Sequence, residues 1–130
     1  MARPVLHIRS RPLHATSPLV LGPAPFFRLE GPVLYEGANN AVVGRYSDHH
    51  WEVSAQFVSS FECTEPTCVQ FRDEVDGHSE RLGPFERLHF PNGTIYADAA
   101  HFAEYLPSSG EWCRCSDGEP WRIILISPAL

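Results

Sequence analysis

The side chains that could do chemistry in this chain fall into two sets. The first is four cysteines in two close pairs, Cys63 with Cys68 and Cys113 with Cys115. Cys63-Thr64-Glu65-Pro66-Thr67-Cys68 reads as a turn that brings two thiols close across a hairpin. Cys113 and Cys115 stand two apart, so on a strand they point to one face. If the pairs converged, they would form the tetrahedral set of four thiolates that zinc prefers, and the chain would be a zinc-stabilised structural domain. Zinc is the one cofactor the sequence suggests. Neither pair has the common two-residue knuckle spacing, and no Cys-x-x-Cys redox motif is present. The irregular spacing favours independent buried thiols.

The second set comes from seven histidines. His89 falls on the polar face of an expected hairpin, near Arg87 and Asp98. Asp98, His101 and Glu104 are each three apart, which on a helix lets neighbours share a ligand face. His89, Asp98 and His101, joined by His49 or His50, would make a mononuclear metal site of the kind a small β-barrel enzyme uses. The simpler reading makes Asp98 a helix cap and His101 a solvated side chain. Elbow, Walker, His-Glu-x-x-His, deaminase and dinucleotide motifs are all absent, so no catalytic residue can be named. Among the aromatics, Tyr46, Trp51, Tyr96, Trp112 and Trp121 lie beside polar neighbours. They could present amphipathic faces to a ligand or partner, although ring caps on strand ends are the simpler reading.

These residues must be positioned by strands. Turn signals recur at the spacing of sandwiches and barrels. A two-residue loop at Asn92-Gly93 sets Phe90 against Ile95, His89 against Tyr96, Leu88 against Ala97 and Arg87 against Asp98. That register gives one apolar and one polar face. At Asp76-Gly77, a three-residue loop with Gly77 left-handed sets Arg72 against Glu80. At Asp117-Gly118, a two-residue loop sets Arg114 against Trp121, a cation–π pairing, and Trp112 against Ile123. Asn39-Asn40 separates two further strands, and Gly83-Pro84-Phe85 reads as a plain turn. Residues 98–106 read as a short helix, capped by Asp98 and stopped by Pro107. The expected fold is a β-rich, twisted antiparallel sandwich or partly open barrel with that one helix.

Composition sets the outer bounds. The chain has 130 residues, 43% of them apolar and 20% charged, which suits a single folded domain. It contains no lysine, and its net charge is −6. Residues 1–25 carry three of the ten arginines and no acid, so they read as a Pro/Arg-rich arm with Val5–Ile8 as an edge strand. All sixteen acids lie in 26–130, the expected β-rich domain. A body that acidic repels phosphate backbones, which argues against nucleic acid as a partner. No apolar run is long enough for a membrane-spanning helix, and no secretory signal is visible. Cytoplasmic residence is expected, with a transit peptide the alternative reading of the basic start. The function expected is a non-catalytic binding or assembly module that contacts a protein partner, a second copy of itself or a small ligand.

Overall fold

A computed structural model describes residues 4–10, 19–24, 26–37, 40–53, 57–73 and 77–129. Asn39 and the Val75-Asp76 pair, both expected turn positions, lie outside them. The described chain forms fifteen strands, all paired antiparallel. They are β1 (Val5–Ser10), β2 (Leu19–Pro23), β3 (Phe27–Glu30), β4 (Val33–Glu36), β5 (Ala41–Ser47), β6 (His50–Val53), β7 (Phe57–Cys63) and β8 (Thr67–Arg72). They continue with β9 (Ser79–Phe85), β10 (Leu88–Phe90), β11 (Thr94–Ala97), β12 (Ala100–Leu106), β13 (Glu111–Arg114), β14 (Pro120–Trp121) and β15 (Ile123–Pro128).

The strands make two sheets packed as a sandwich, not closed into a barrel. One runs β2-β1-β7-β10-β11-β12-β13-β14, the other β6-β5-β4-β3-β15-β8-β9. β7 joins them. One edge pairs with β1, while the other pairs with β6 at its start and β10 at its end. A strand that passes between sheets in this way makes the corner of a sandwich. Between the sheets lies one core that includes Leu6, Ile8, Leu34, Trp51, Phe61, Phe71, Leu88, Phe90, Trp112 and Ile124. Leu6 and Ile8 belong to the basic N-terminal segment. Their strand, β1, lies between β2 and β7 rather than at an edge. Ile123 and Ile124 are both buried, as expected of an internal strand.

The hairpin around Asn92-Gly93 has the expected register, with Leu88 opposite Ala97 and His89 opposite Tyr96. Its turn differs, because neither Asn92 nor Gly93 has a positive φ. Gly93 is needed for another reason: a Cβ there would lie 2.8 Å from the Tyr46 hydroxyl.

The two Asp-Gly loops are longer than expected and share one geometry. Gly77 N–H donates to the Asp73 carbonyl and Asp73 N–H to that of His78. Gly118 and Arg114 make the same bonds, to Arg114 and Glu119. The register therefore places Phe71 opposite Glu80 and Trp112 opposite Trp121, not Arg72 opposite Glu80 or Arg114 opposite Trp121. The expected left-handed Gly77 is present, at φ 73°. Arg114 still reaches Trp121, diagonally, with its guanidinium carbon 5.8 Å from the ring centre. Gly83-Pro84 is not a plain turn. It lies within β9, at an irregularity in the β8–β9 pairing.

The expected helix over 98–106 is instead strand β12. Asp98 and Ala99 form a two-residue turn with both φ values positive, 50° and 71°. Beyond it, β12 pairs with β11 on one edge and β13 on the other. A helix of about two turns is marginal by itself, whereas a strand between two partners satisfies its backbone on both edges. Non-local pairing overrides the local preference here.

Candidate functional site

Alternation along the first sheet sends Leu6, Ile8, Phe61, Cys63, Leu88, Phe90, Ile95 and Ala97 into the core. The residues between them face outward, and the pairing lines them up in one row: His7, Glu62, His89, Tyr96 and His101, on β1, β7, β10, β11 and β12 in turn. This row gathers three histidines, a glutamate and a tyrosine on the outer face.

Glu62 is the unusual member. Pattern alone predicts an exposed side chain, yet its side chain is 3% exposed. A carboxylate this buried must be compensated. Arg87 supplies a guanidinium, with Nη2 2.7 Å from Glu62 Oε1, while remaining 52% exposed itself. Arg87 is held in turn by the Asp98-Ala99 turn. Asp98 Oδ1 accepts a hydrogen bond from the Arg87 backbone N–H at 2.9 Å, and Asp98 N–H donates to the Arg87 carbonyl at 2.9 Å. Asp98 is thus a turn clasp rather than a helix cap. Arg87, His89, Tyr96, Asp98 and Ala99 line a cavity of about 340 Å³.

His101 belongs to a second cluster, built by a β-bulge. Tyr96 pairs with His101, but its neighbour Ile95 pairs with Ala103, so Phe102 is an extra residue in β12. On a regular strand, residues three apart face opposite ways. The extra residue restores His101 and Glu104 to one face. His101 Nδ1 lies 3.6 Å from Glu104 Oε1. The bulged Phe102 carbonyl accepts the Cys115 N–H at 2.9 Å, which brings the Cys115 thiol alongside. Ligand atoms of His101, Glu104 and Cys115 all lie within 4.8 Å of one another. The Tyr96 ring meets the His101 ring edge to face at 4.8 Å. Partial burial, then the Glu104 and Cys113 charges, push the Cys115 thiol pKa up.

The sequence-predicted residues are distributed differently from either metal expectation. Among the described residues, this is the one group of three such donors close enough to share an ion. His89, Asp98 and His101 do not form such a group, and no three of the four cysteines do. All four cysteines are free. Cys63 lies in the core between Leu6 and Leu88, where burial pushes its thiol up to about 12. Cys68 is buried on β8, Cys113 is half-buried opposite Glu104, and Cys115 is exposed. His49 occupies a left-handed turn position (φ 67°), and His50 bonds locally to Asp48 and Glu52.

Of the five aromatics, Trp51, Trp112 and Trp121 are buried in the core. Trp51 Nε1 donates to the Asn92 carbonyl at 3.1 Å and Trp112 Nε1 to that of Gly31 at 2.7 Å, so both are structural ties. Tyr46 packs on Trp51 and Tyr105, and burial pushes its hydroxyl pKa up. Tyr96 alone of the five lines the cavity beside Arg87.

Sequence reasoning missed Glu62, Arg87 as its counter-ion, and the pairing of His101 with Cys115. No local signal marks Glu62. A histidine and a glutamate three apart, followed within a dozen residues by two cysteines, were the available clue to the second cluster. No helix among the described residues is long and apolar enough to cross a membrane. Comparison with known protein families, curated proteins and solved structures finds no match to this chain.

Proposed function

We propose that the chain is a small non-catalytic binding module whose outer-face cavity takes a small polar ligand bearing both hydrogen-bond donors and acceptors. The observation that carries this reading is the cavity of about 340 Å³ lined by Arg87, His89, Tyr96, Asp98 and Ala99. Its volume is within the usual range of small-molecule sites. Its walls offer both signs of charge and an aromatic face, so a molecule with donors, acceptors and one flat or apolar side fits best. Binding is favoured over catalysis because the charged groups are already engaged. The Glu62 carboxylate is paired to Arg87, and that of Asp98 accepts a backbone N–H, so both are committed to holding the site rather than to proton transfer. Val42 is the one exposed large hydrophobic among the described residues, so the cavity, not an apolar patch, supports recognition.

The test is NMR titration of the full chain with free amino acids, nucleosides and polyols. Saturable shifts centred on Arg87, His89, Tyr96 and Asp98 are expected for at least one class. Tyr96→Ala should weaken that binding at least tenfold while leaving the spectrum folded. Saturable shifts centred elsewhere, or none in any class, would reject the reading.

A further inference from the structure

We propose that His101, Glu104 and Cys115 bind one zinc-like divalent transition ion on the outer face of β12, apart from the cavity. The three donors come from two places in the chain and are brought together by one device. The bulge at Phe102 turns His101 and Glu104 to the same side, and the bulged carbonyl holds the Cys115 amide. Neither element of the device is needed for an ordinary surface ion pair, which regular cross-strand neighbours make more simply.

The donor types and spacing suit zinc. A nitrogen, a carboxylate oxygen and a thiolate are its usual protein ligands, at about 2.0–2.3 Å from the metal. Tetrahedral bonds of that length put ligand atoms roughly 3.3–3.8 Å apart. His101 Nδ1 and Glu104 Oε1 are already 3.6 Å apart, and no pair in the group exceeds 4.8 Å. Closing the rest needs about 1 Å of side-chain motion at exposed positions. Tyr96 supports the His101 ring from one side. Binding converts the Cys115 thiol to thiolate and releases its proton to solvent. The fourth position goes to water or to Cys113, which stands opposite Glu104. A mixed His/Glu/Cys site with one open position differs from both a closed four-thiolate structural site and a His/Asp site.

Cobalt(II) is the probe, because thiolate coordination gives a near-ultraviolet charge-transfer band that nitrogen and oxygen ligands do not. Reduced full-length protein should take up one equivalent with that band, and zinc should displace it. Cys115→Ser is exposed enough to leave the fold unchanged. It should abolish the band and weaken binding at least tenfold, and His101→Ala should weaken binding comparably. Cobalt bound without the band, no saturable uptake, or a band kept in Cys115→Ser but lost in Cys113→Ser would each overturn the assignment.

Discussion

Among the described residues, two charged side chains are buried in the first sheet, one on each face, and the chain compensates them in opposite ways. On the inner face Arg114 is 7% exposed as a side chain and meets Glu80, Asp117 and Glu119, which are 41–54% exposed. Its guanidinium also lies over Phe71 at 5.2 Å and Trp121 at 5.8 Å. The loop beside it ends in left-handed Gly118, at φ 73°, where glycine carries no steric cost. On the outer face the buried group is the carboxylate of Glu62, and its guanidinium partner Arg87 is half exposed and lines a cavity. The turn that clasps Arg87 puts Ala99 at φ 71° without a glycine. One site is saturated and relaxed, while the other opens on a cavity and keeps a strained turn.

The difference predicts an asymmetry on mutation, because the costly deletion is the one that takes a guanidinium from a buried carboxylate. Arg87→Met leaves Glu62 buried without its guanidinium and should cost about 3 kcal/mol at neutral pH. Urea unfolding at pH 7 measures the loss. A variant within about 1 kcal/mol of wild type at pH 7 would show that Arg87 is not what stabilises the buried Glu62.

Cys63, next to Glu62 but on the inner face, shows a third solution, which is to remain neutral. Its thiol is held at about 12 by burial and, less strongly, by Glu62. A group with a raised folded pKa contributes stability that is complete below its unfolded value and is lost as pH rises toward the folded one. Stability should therefore fall from about pH 9 upward, by about 1 kcal/mol at pH 10. Cys63→Ala should lack that part of the alkaline slope, whatever its stability at pH 7. Equal alkaline slopes in the two proteins would contradict a protonated, core-held thiol.

Arg114→Met should cost less than Arg87→Met, about 1 kcal/mol, because its three carboxylates return to water and the new side chain still packs on Phe71 and Trp121. Hydrogen bonding to Arg114 holds the Asp117 carboxyl below its ordinary range. A depressed pKa gives stability that is present above the unfolded value and lost as pH falls through the folded one. The wild-type acid limb below about pH 4 should thus be steeper than that of the variant. If Arg114→Met proves costlier than Arg87→Met, the assignment of roles is reversed.

The smallest expected effect concerns the turn. Ala99→Gly should stabilise by about 0.5–1 kcal/mol by relieving a left-handed alanine, read as a higher urea midpoint. No gain would remove the claim of stored strain.

Much of the sandwich was legible in the sequence because turn chemistry and alternation are local. The Asn92-Gly93 register followed from matching apolar and polar neighbours across one loop, and left-handed Gly77 followed from the need for a residue without a Cβ. The same information placed His89, Tyr96 and Arg87 on one polar face beside Asp98. What the tertiary structure alone decided depends on partners far away in the chain. Residues 100–106 became a strand because β11 and β13 flank both edges, a gain that no local helix preference offsets. Alternation put Glu62 on an outer face, but only the tertiary structure left its side chain 3% exposed there. The four cysteines separated, and Cys115 joined His101 and Glu104 instead, because a single inserted residue in β12 reset which side chains share a face.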